Sequence, residues 1–379
     1  MKKIFDNFGI YVHVPFCARA CGYCRFYKKI PSQNDIDTYI ESITEELKLF
    51  KQSENKELSV DTMFWGGGTP SILSERQIEN LAKTFANTLP TQEWTVEVSP
   101  STITKSKLET FKNVGVNRIS LGVQSFSEKT LQTLGRAHSL KDTLEAIELV
   151  SNADFEKFSI DLIFGADGQT VDDFCKDIES AATTSVDHIS AYCLEFESGT
   201  SACAGLKTQQ QLEKNYDDAQ LFQTAMQLLP ELGFAQYEIS NYARNSQARC
   251  LHNLSTWNMA QWVGLGPSAA SQFNGRRYRN KSSIAKWIDG IRNASPSYDD
   301  VVILDDEEMF SSALIFGLRM NEGVNLQELH NRFPNADFEK YQNDILRLQE
   351  ENLIERNREK IALTFEGRLV ADYVAVELL

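Results

Sequence analysis

Long apolar runs are absent from this sequence of 379 residues. No stretch of about 18 apolar residues occurs, which is the length that a membrane-spanning helix requires. The first eight residues, Met1–Phe8, contain no apolar core of the kind found in secretory signal peptides. We therefore expect a cytoplasmic protein without a transmembrane segment, although peripheral contact with a membrane stays open.

Positive charge is also scarce. Lys and Arg number 38 against 53 Asp and Glu, so the net charge is −15. A general nucleic-acid binder needs an excess of cations, because phosphate contacts dominate its affinity. An anionic membrane would likewise repel such a chain. We expect no nucleic-acid partner.

Cysteines are few, seven in all, but three of them lie close together at Cys17, Cys21 and Cys24. Four thiolates would complete a zinc tetrahedron or an iron–sulfur cluster, whereas three leave one iron with an open coordination position. No Cys or His follows soon after Cys24. A zinc site completed by a distant ligand and three unrelated thiols remain alternatives. Cysteines without a pairing pattern suit a reducing compartment.

Apolar runs that read as strands alternate six times with amphipathic stretches that read as helices, which is typical of parallel strands covered on both faces. The expected strands are Gly9–Val14, Val60–Trp65, Trp94–Val98, Asn117–Val123, Lys157–Phe164 and Asp187–Leu194. The expected helices are Gln33–Lys51, Ser74–Thr88, Thr104–Val114, Ser127–Leu134, Ser139–Ser151, Val171–Thr184 and Gln209–Leu232. An open doubly wound sheet and a (β/α) barrel both fit. Polar and glycine motifs follow the strands, and a barrel would gather them at one mouth.

Several of these motifs suit ligand binding. The glycines at 66–68 would let the backbone approach a ligand closely, although a plain tight turn is the alternative. Glu97 and Asp161 interrupt apolar strands, where an ionised carboxylate is costly unless it is paired. Arg136 could hold a carboxylate with two parallel hydrogen bonds, or lie solvated at the surface.

The spacing Cys-x3-Cys-x2-Cys resembles that of the radical S-adenosylmethionine (SAM) enzymes. The resemblance implies a partial (β/α)6 barrel whose three cysteines hold a [4Fe–4S] cluster. The fourth iron of that cluster would be chelated by the amino and carboxylate groups of SAM, and reductive cleavage of SAM would follow from such a site.

A closer resemblance covers nearly the whole chain and is to the oxygen-independent coproporphyrinogen III oxidase-like family, which includes the HemN and HemW branches. It is carried by Tyr11–Cys17, Trp65–Ser71, Leu121–Phe126, Leu134–His138 and Ser159–Gly165. By matched position, it implies that Tyr11, Gly67 and Glu97 contact the cluster-bound SAM. It also implies a second SAM position formed by Tyr23, Gly68, Thr69, Gln124, Arg136, Asp161 and Cys193. Cys193 stands where HemN has alanine, and Ser99 replaces the usual Asn of a Glu-x-Asn-Pro signature.

Two features favour the HemW branch. Phe26 occupies the position of a further cysteine in HemN, which argues against coproporphyrinogen oxidase activity. The stretch Cys250–Trp257 resembles the His-Asn-x-x-Tyr-Trp signature of HemW, with Thr256 in place of Tyr. The resemblance implies a haem chaperone that uses His252 as an axial ligand and delivers haem to an unidentified acceptor, with an unidentified electron donor. A porphyrin- or haem-acting radical SAM enzyme is the alternative function, and a histidine that only hydrogen-bonds a loop is the alternative role of His252.

The composition shifts after Ser295–Ser297, which predicts domains over 1–296 and 297–379. Helices are expected from the Met309–Leu318 run and over Val324–Phe333, Asp337–Glu351 and Thr364–Leu378, with a hairpin over Ile354–Leu363. This order resembles the winged-helix-like α+β domain of the same family. Its Asn325–Asn331 stretch is not basic, which argues against DNA binding. We expect this domain to form a lid or docking surface over the barrel mouth.

Overall fold

The computed structural model describes residues 3–54, 58–194 and 208–379. Six strands, each parallel to the next, form the centre of its main sheet. They are β1 (Phe8–Val14), β2 (Thr62–Gly67), β3 (Glu93–Val98), β4 (Arg118–Gln124), β5 (Lys157–Phe164) and β6 (His188–Cys193). The connecting helices are α1 (Gln33–Glu54), α2 (Glu75–Lys83), α3 (Lys105–Asn113), α4 (Glu128–Thr133), α5 (Leu140–Ala153), α6 (Val171–Ala182) and α7 (Thr208–Glu231). The predicted (β/α)6 partial barrel is confirmed.

Side-chain caps explain where several of these helices begin. Ser74, Thr104, Ser127, Ser139 and Thr170 each accept a hydrogen bond from a backbone N–H in the first turn that follows. Such caps satisfy donors that have no partner within the helix. Each of these helices therefore begins one residue after its cap.

The two faces of each strand differ in chemistry. Ile10, Val12 and Val14 of β1 are buried in the main hydrophobic core, together with α1. The residues between them, including Tyr11 and His13, lie on the opposite face, because side chains alternate along a strand. On β3 the same alternation places Glu97 on that inner face. The interior of the barrel is consequently polar while its outer layer is apolar.

The sheet continues on both sides beyond the predicted six strands. The added strands are β7 (Ala235–Glu238), β8 (Asn241–Ala243), β9 (Gln261–Leu265), β10 (Ala270–Phe273), β11 (Arg276–Asn280) and β12 (Tyr298–Ile303). The sheet order is β12-β11-β10-β9-β1-β2-β3-β4-β5-β6-β8-β7, and β9 runs parallel to β1. Helices α8 (Leu251–Trp257) and α9 (Ile284–Arg292) lie between these strands along the chain. β12 follows the expected boundary at residue 296 yet pairs with β11.

The C-terminal part has its own hydrophobic core and a three-stranded sheet. Its elements are α10 (Asp306–Leu318), β13 (Val324–Asn325), α11 (Leu326–Arg332), α12 (Glu339–Glu350), β14 (Ile354–Asn357), β15 (Lys360–Leu363), α13 (Phe365–Leu369) and α14 (Ala371–Glu377). The predicted hairpin is confirmed. The helix expected over Val324–Phe333 instead starts with β13, and the one expected over Thr364–Leu378 is broken at Val370, whose backbone leaves the helical region.

This C-terminal part does not cover the barrel mouth, so the expectation of a lid is wrong. The Arg332 guanidinium donates to the carbonyl oxygens of Asn258 and Met259, at 2.9 and 2.8 Å. The N–H of Asn321 donates to the carbonyl of Tyr237 in β7. These partners adjoin α8 and the β7–β8 hairpin, at the end of the barrel where β1 and β2 begin. No helix in the described part of the chain is long and apolar enough to cross a membrane.

Candidate functional site

The three clustered cysteines lie on the cysteine loop, residues 15–32, which leaves the C-terminal end of β1. The loop closes on itself, because the N–H of Lys29 donates to the Pro15 carbonyl at 2.6 Å and the N–H of Cys17 donates to the Lys29 carbonyl at 3.1 Å. The Lys28 ammonium donates to the Cys24 carbonyl. The thiols of Cys17, Cys21 and Cys24 are free and half-buried. Burial raises the pKa of Cys17, with Cys24 and Cys21 adding to that effect.

The glycines at 66–68 pack directly against the start of the cysteine loop. The N–H of Gly68 donates to the Val14 carbonyl at 2.9 Å, and that of Thr69 donates to the Phe16 carbonyl at 2.7 Å. A Cβ at Gly68 would lie 2.5 Å from the carbonyl oxygen of Val14. Such an approach excludes any side chain, so only glycine permits this contact between the two loops. Thr69 in turn places its hydroxyl 3.6 Å from the Cys17 sulfur.

Arg136 reaches the cysteine loop from the other side. Its Nη1 lies 3.6 Å from the Cys21 sulfur and 3.3 Å from the Tyr23 hydroxyl, and its Nη2 lies 3.5 Å from the Gly122 carbonyl. Its Nε is buried and has no hydrogen-bond partner within the described part of the chain. A buried donor without an acceptor is costly. This guanidinium is therefore suited to bind an anionic ligand, such as a carboxylate, beside the sulfurs.

Two carboxyl groups face each other inside the barrel. Glu97 accepts a hydrogen bond from the N–H of Gly67 at 3.1 Å, and Asp161 accepts from the Ser120 hydroxyl at 3.0 Å. Burial, followed by repulsion from Asp161, raises the pKa of Glu97 to about 8. Burial also raises the pKa of Asp161, against hydrogen bonds from two serines. Both side chains nevertheless keep some access to water, which leaves space beside them for a polar ligand.

The remaining predicted SAM residues lie at strand ends on the same side of the barrel. Gln124 ends β4 with a left-handed φ of 71°, which follows a shift in the β4–β5 register. Cys193 ends β6 and is exposed. Tyr11 lies deeper, where burial and the nearby Glu97 raise its pKa. The structure thus gathers all the predicted cluster and SAM residues around the mouth and upper interior of the barrel.

His13 is a site residue that the sequence analysis missed. Its Nε2 lies 2.8 Å from the Tyr27 carbonyl, and its Nδ1 lies 3.1 Å from the Tyr11 hydroxyl. A Cβ at Gly67 would lie 2.3 Å from this imidazole. His13 therefore supports the cysteine loop and the glycine loop together. The sequence could have indicated His13, because it lies two residues after Tyr11 and both side chains are therefore on one face of β1.

His252 lies at the other end of the barrel from the cysteines. Its Nδ1 is 2.9 Å from the Thr62 hydroxyl, at the start of β2, and a Cβ at Gly9, at the start of β1, would lie 3.2 Å from its ring. Gly9 and Val14 are separated by about 17 Å at the usual rise of a strand. Burial lowers the pKa of His252 to about 4, so the imidazole is neutral at pH 7. The structure does not bring His252 together with the cluster residues.

An ionic network closes the barrel beside His252. Glu93, fully buried, pairs with the Lys157 ammonium at 2.8 Å and accepts from the N–H of His252 at 3.0 Å. Burial would raise the pKa of Glu93, but Arg118 and Lys157 hold it below its ordinary value. Arg118 also donates to the Ala248 carbonyl at 2.8 Å, which ties the segment before α8 to the strands. Each of these three charged residues begins a strand, so the sequence analysis did not single them out.

The residues at the mouth fit an iron–sulfur cluster with bound SAM better than a single zinc ion. In the described ranges, no three His, Cys, Asp or Glu side chains are arranged to share one metal ion. Each thiolate of a [4Fe–4S] cluster binds a different iron, so its three sulfurs need not converge on one point. The unpaired Nε of Arg136 and the closely packed glycine loop supply the adjoining positions for an amino acid-like ligand.

The comparisons with known proteins agree with this site. The family model described as Radical SAM superfamily matches residues 11–181, and that of the HemN C-terminal domain matches residues 304–370. Fold and site together define a radical SAM protein.

Two curated bacterial relatives are similar in sequence to this chain over nearly their whole length. The protein named "Heme chaperone HemW" from Bacillus subtilis (strain 168) is 30% identical over 369 residues, which cover 96% of this chain and 97% of its own. The protein of the same name from Lactococcus lactis is 31% identical, covering 94% and 93%. The chain belongs to the HemW family.

Relatives of this family also occur in animals and among solved structures. A mitochondrial "Radical S-adenosyl methionine domain-containing protein 1" from Danio rerio is 32% identical, covering 87% of this chain and 77% of its own. The structure of coproporphyrinogen III oxidase (HemN) from Escherichia coli superimposes with a TM-score of 0.84 at 20% identity, covering 99% and 91%. At that identity the superposition shows that the two proteins share a fold.

Proposed function

We propose that this protein holds a [4Fe–4S] cluster on Cys17, Cys21 and Cys24, binds SAM beside it, binds haem, and delivers haem to acceptor proteins in the cytoplasm. The observation that carries the proposal is the cysteine loop itself. Its three free thiols lie on one loop, with Thr69 of the glycine loop beside Cys17 and the Arg136 guanidinium beside Cys21. The names of the two bacterial relatives support the haem-delivery part.

The residues of the chain would share the binding of SAM. A cluster held here would supply one electron to the SAM sulfonium. The glycine loop would present backbone carbonyls to the amino group of SAM, and Arg136 would hold a carboxylate through its guanidinium. Glu97, Asp161 and Tyr11 would accept or donate hydrogen bonds to hydroxyl groups inside the barrel. The apolar outer layer of strands and helices would exclude water from this interior.

His252 remains our candidate for the axial haem ligand, since imidazole suits iron. Its neutral form, favoured by the lowered pKa, is the form that binds a metal. Because the ring is buried among Gly9, Thr62 and Phe64, haem binding there requires α8 to move away from β1 and β2. The haem would then lie at the opposite end of the barrel from the cluster.

Anaerobic reconstitution with iron and sulfide, followed by metal analysis and SAM titration, tests the cluster. About four irons per chain and a spectral change on adding SAM are expected. One zinc and little iron would contradict the proposal.

Haem titration of the wild type and of the His252→Ala variant tests haem binding and the role of His252 in it. Saturable binding that weakens in the variant is expected, and no saturable binding in either would exclude haem delivery. A parallel anaerobic incubation with coproporphyrinogen tests the alternative enzymatic function. Phe26, where HemN has a further cysteine, predicts that this incubation gives no mass change.

A further inference from the structure

The C-terminal part of the protein contains a pocket of about 170 Å³, which lies between α10, β15 and α14. Its apolar wall includes the buried side chains of Leu318, Leu363 and Val374. An engineered protein cavity of about 150 Å³ with an apolar lining of this kind binds benzene. The pocket therefore has space for an apolar group of about six carbon atoms.

Two residues of opposite charge line the same pocket, Arg319 of α10 and Asp372 of α14. Within the described part of the chain they form no ion pair with each other. Asp372 is exposed, so its carboxylate is accessible from the solvent. Arg319 is half-buried, and its Nε is buried without a hydrogen-bond partner among the described residues. A buried donor without an acceptor is costly, so this guanidinium is suited to bind an anionic group that enters the pocket.

The neighbours of the Arg319 guanidinium orient it without occupying it. Its Cζ lies 4.7 Å from the centre of the Trp257 ring, so the planar group is held by a cation–π contact. Glu238 of β7 also interacts with this charge, but burial raises the pKa of Glu238 above its ordinary value. The Oε1 of Glu238 accepts from the Ser240 N–H and the Asn241 amide instead. A ligand carboxylate would therefore meet a guanidinium that still has donors to offer.

We propose that this pocket binds a free α-amino acid with an apolar side chain. The carboxylate of the ligand would pair with Arg319 and its ammonium with Asp372, while its side chain would lie against the apolar wall. Each kind of group that lines the pocket thereby gains a complementary partner. The proposal involves neither the cluster nor haem, so it is independent of the proposed function.

Other occupants fit the pocket less well than a zwitterion does. An apolar side chain of a partner protein would bring no free carboxylate, so the buried Nε of Arg319 would stay unpaired. An apolar acid would pair with Arg319 but would place its negative charge near the Asp372 carboxylate. An amine would in turn place a positive charge near Arg319. Opposite charges in one small pocket therefore disfavour ligands of a single sign.

Titration calorimetry of the full chain with leucine, methionine and phenylalanine tests the proposal. Two analogues of leucine are titrated in parallel: isocaproate lacks the amino group, and isoamylamine lacks the carboxylate. We expect saturable binding of at least one amino acid, and binding of either leucine analogue that is about tenfold or more weaker than that of leucine. Because Arg319 contacts the Trp257 ring, binding should also change tryptophan fluorescence, and this change should be absent from Trp257→Phe.

Three variants assign the binding to this pocket. Arg319→Gln and Asp372→Asn should each weaken binding of the amino acid about tenfold or more, and Asp372→Asn should not weaken binding of isocaproate. Ala375→Leu fills the pocket and should abolish binding with both charges in place. Glu350→Gln is the control, because it removes an exposed carboxylate of α12 that does not line the pocket, and it should bind as the wild type does. Urea denaturation checks that each variant is folded.

No saturable binding of any of the three amino acids to the folded wild type would overturn the proposal. So would equal amino acid affinity in the wild type and in folded Arg319→Gln and Ala375→Leu, because the ligand would then bind elsewhere. Equal affinity for leucine and isocaproate would overturn the assignment to amino acids and indicate a site for simple carboxylates. The experiment uses neither iron nor haem, so its failure would not affect the proposed function.

Discussion

Single residues decide how closely the cysteine loop and the glycine loop pack. Gly67 has a φ of 95°, and a Cβ there would lie 2.3 Å from the His13 imidazole. Gly67→Ala is therefore expected to displace His13 and lower iron incorporation and SAM affinity severalfold. Gly115 is a matched control, because its φ of 105° imposes the same backbone strain while the nearest atom to its Cβ, on Trp94, is 3.7 Å away.

Measuring iron content and unfolding of both alanine variants separates the clash from the strain. If Gly115→Ala and Gly67→Ala lose iron equally, backbone strain alone explains the loss and the contact with His13 has no separate role.

The Glu97 carboxyl should make the stability of the protein depend on pH. Its folded-state pKa of about 8 lies above the ordinary value of a glutamate, so the native state holds its proton over a range in which the unfolded state has lost it. The free energy of unfolding therefore falls as pH rises from about 5 to 8. Glu97→Gln removes this contribution, and urea denaturation at four pH values in that range should show a shallower fall. Identical slopes would mean that water inside the barrel keeps Glu97 ionised.

At the level of elements, one buried carboxyl joins three separate segments. Glu46 of α1 accepts from the N–H of Gly266 at 2.7 Å, from the Asn280 amide at 2.7 Å and from the Trp287 indole at 2.9 Å. Burial raises its pKa to about 7, against these three donors. The contacts tie α1 to the turn after β9, to β11 and to α9.

Glu46→Ala leaves the buried N–H of Gly266 and the Trp287 indole without this acceptor, whereas the Asn280 amide keeps the Gly266 carbonyl at 2.8 Å. The substitution is expected to lower the free energy of unfolding by about 3 kcal/mol. Glu45→Ala is the control, because Glu45 forms an exposed ion pair with Lys48 and its loss should change stability by less than about 1 kcal/mol. Urea denaturation at pH 8 measures both. Equal losses would show that the side-chain bonds of Glu46 do not hold these segments together.

The sequence predicts the central elements well and the flanking ones poorly, for a physical reason. The six parallel strands are buried on both sides and therefore appear as continuous apolar runs. β11 reads Arg276-Arg-Tyr-Arg-Asn280, and it becomes a strand because its neighbours β10 and β12 pair with it, not because of its own apolar pattern. Strand preference depends on the neighbouring strands that a segment pairs with, and the side-chain pattern of β11 itself does not record them.

The same limit applies to the candidate site. Glu97 and Asp161 could be predicted as site residues, because an ionised carboxylate inside an apolar strand is costly unless it is paired. Glu93, Arg118 and Lys157 are instead the first residues of their strands, where a charge needs no special explanation. The pairing of Glu93 with Lys157 joins β3 to β5, which lie on either side of β4 in the barrel, and the sequence alone does not specify that arrangement.

At the scale of the whole molecule, different parts of the chain contact the two ends of the barrel. The mouth carries the cysteine loop, whereas the closed end contacts α8, the ionic network of Glu93 and the C-terminal core. A change at one end should therefore leave the other largely unaffected, and Arg332 provides a way to measure this. Its guanidinium donates to the carbonyls of Asn258 and Met259 and lies 4.4 Å from the centre of the Phe5 ring.

Arg332→Ala is expected to lower the free energy of unfolding by about 1–3 kcal/mol, because two carbonyl groups lose a charged donor. Hydrogen exchange should rise in α8 and in the segment 258–260, while iron content and SAM affinity stay as in the wild type. Arg347→Ala is the control, since Arg347 forms ion pairs within the C-terminal part and should not change exchange in α8. A loss of SAM affinity in Arg332→Ala would mean that the closed end of the barrel is coupled to its mouth, which this arrangement of contacts does not predict.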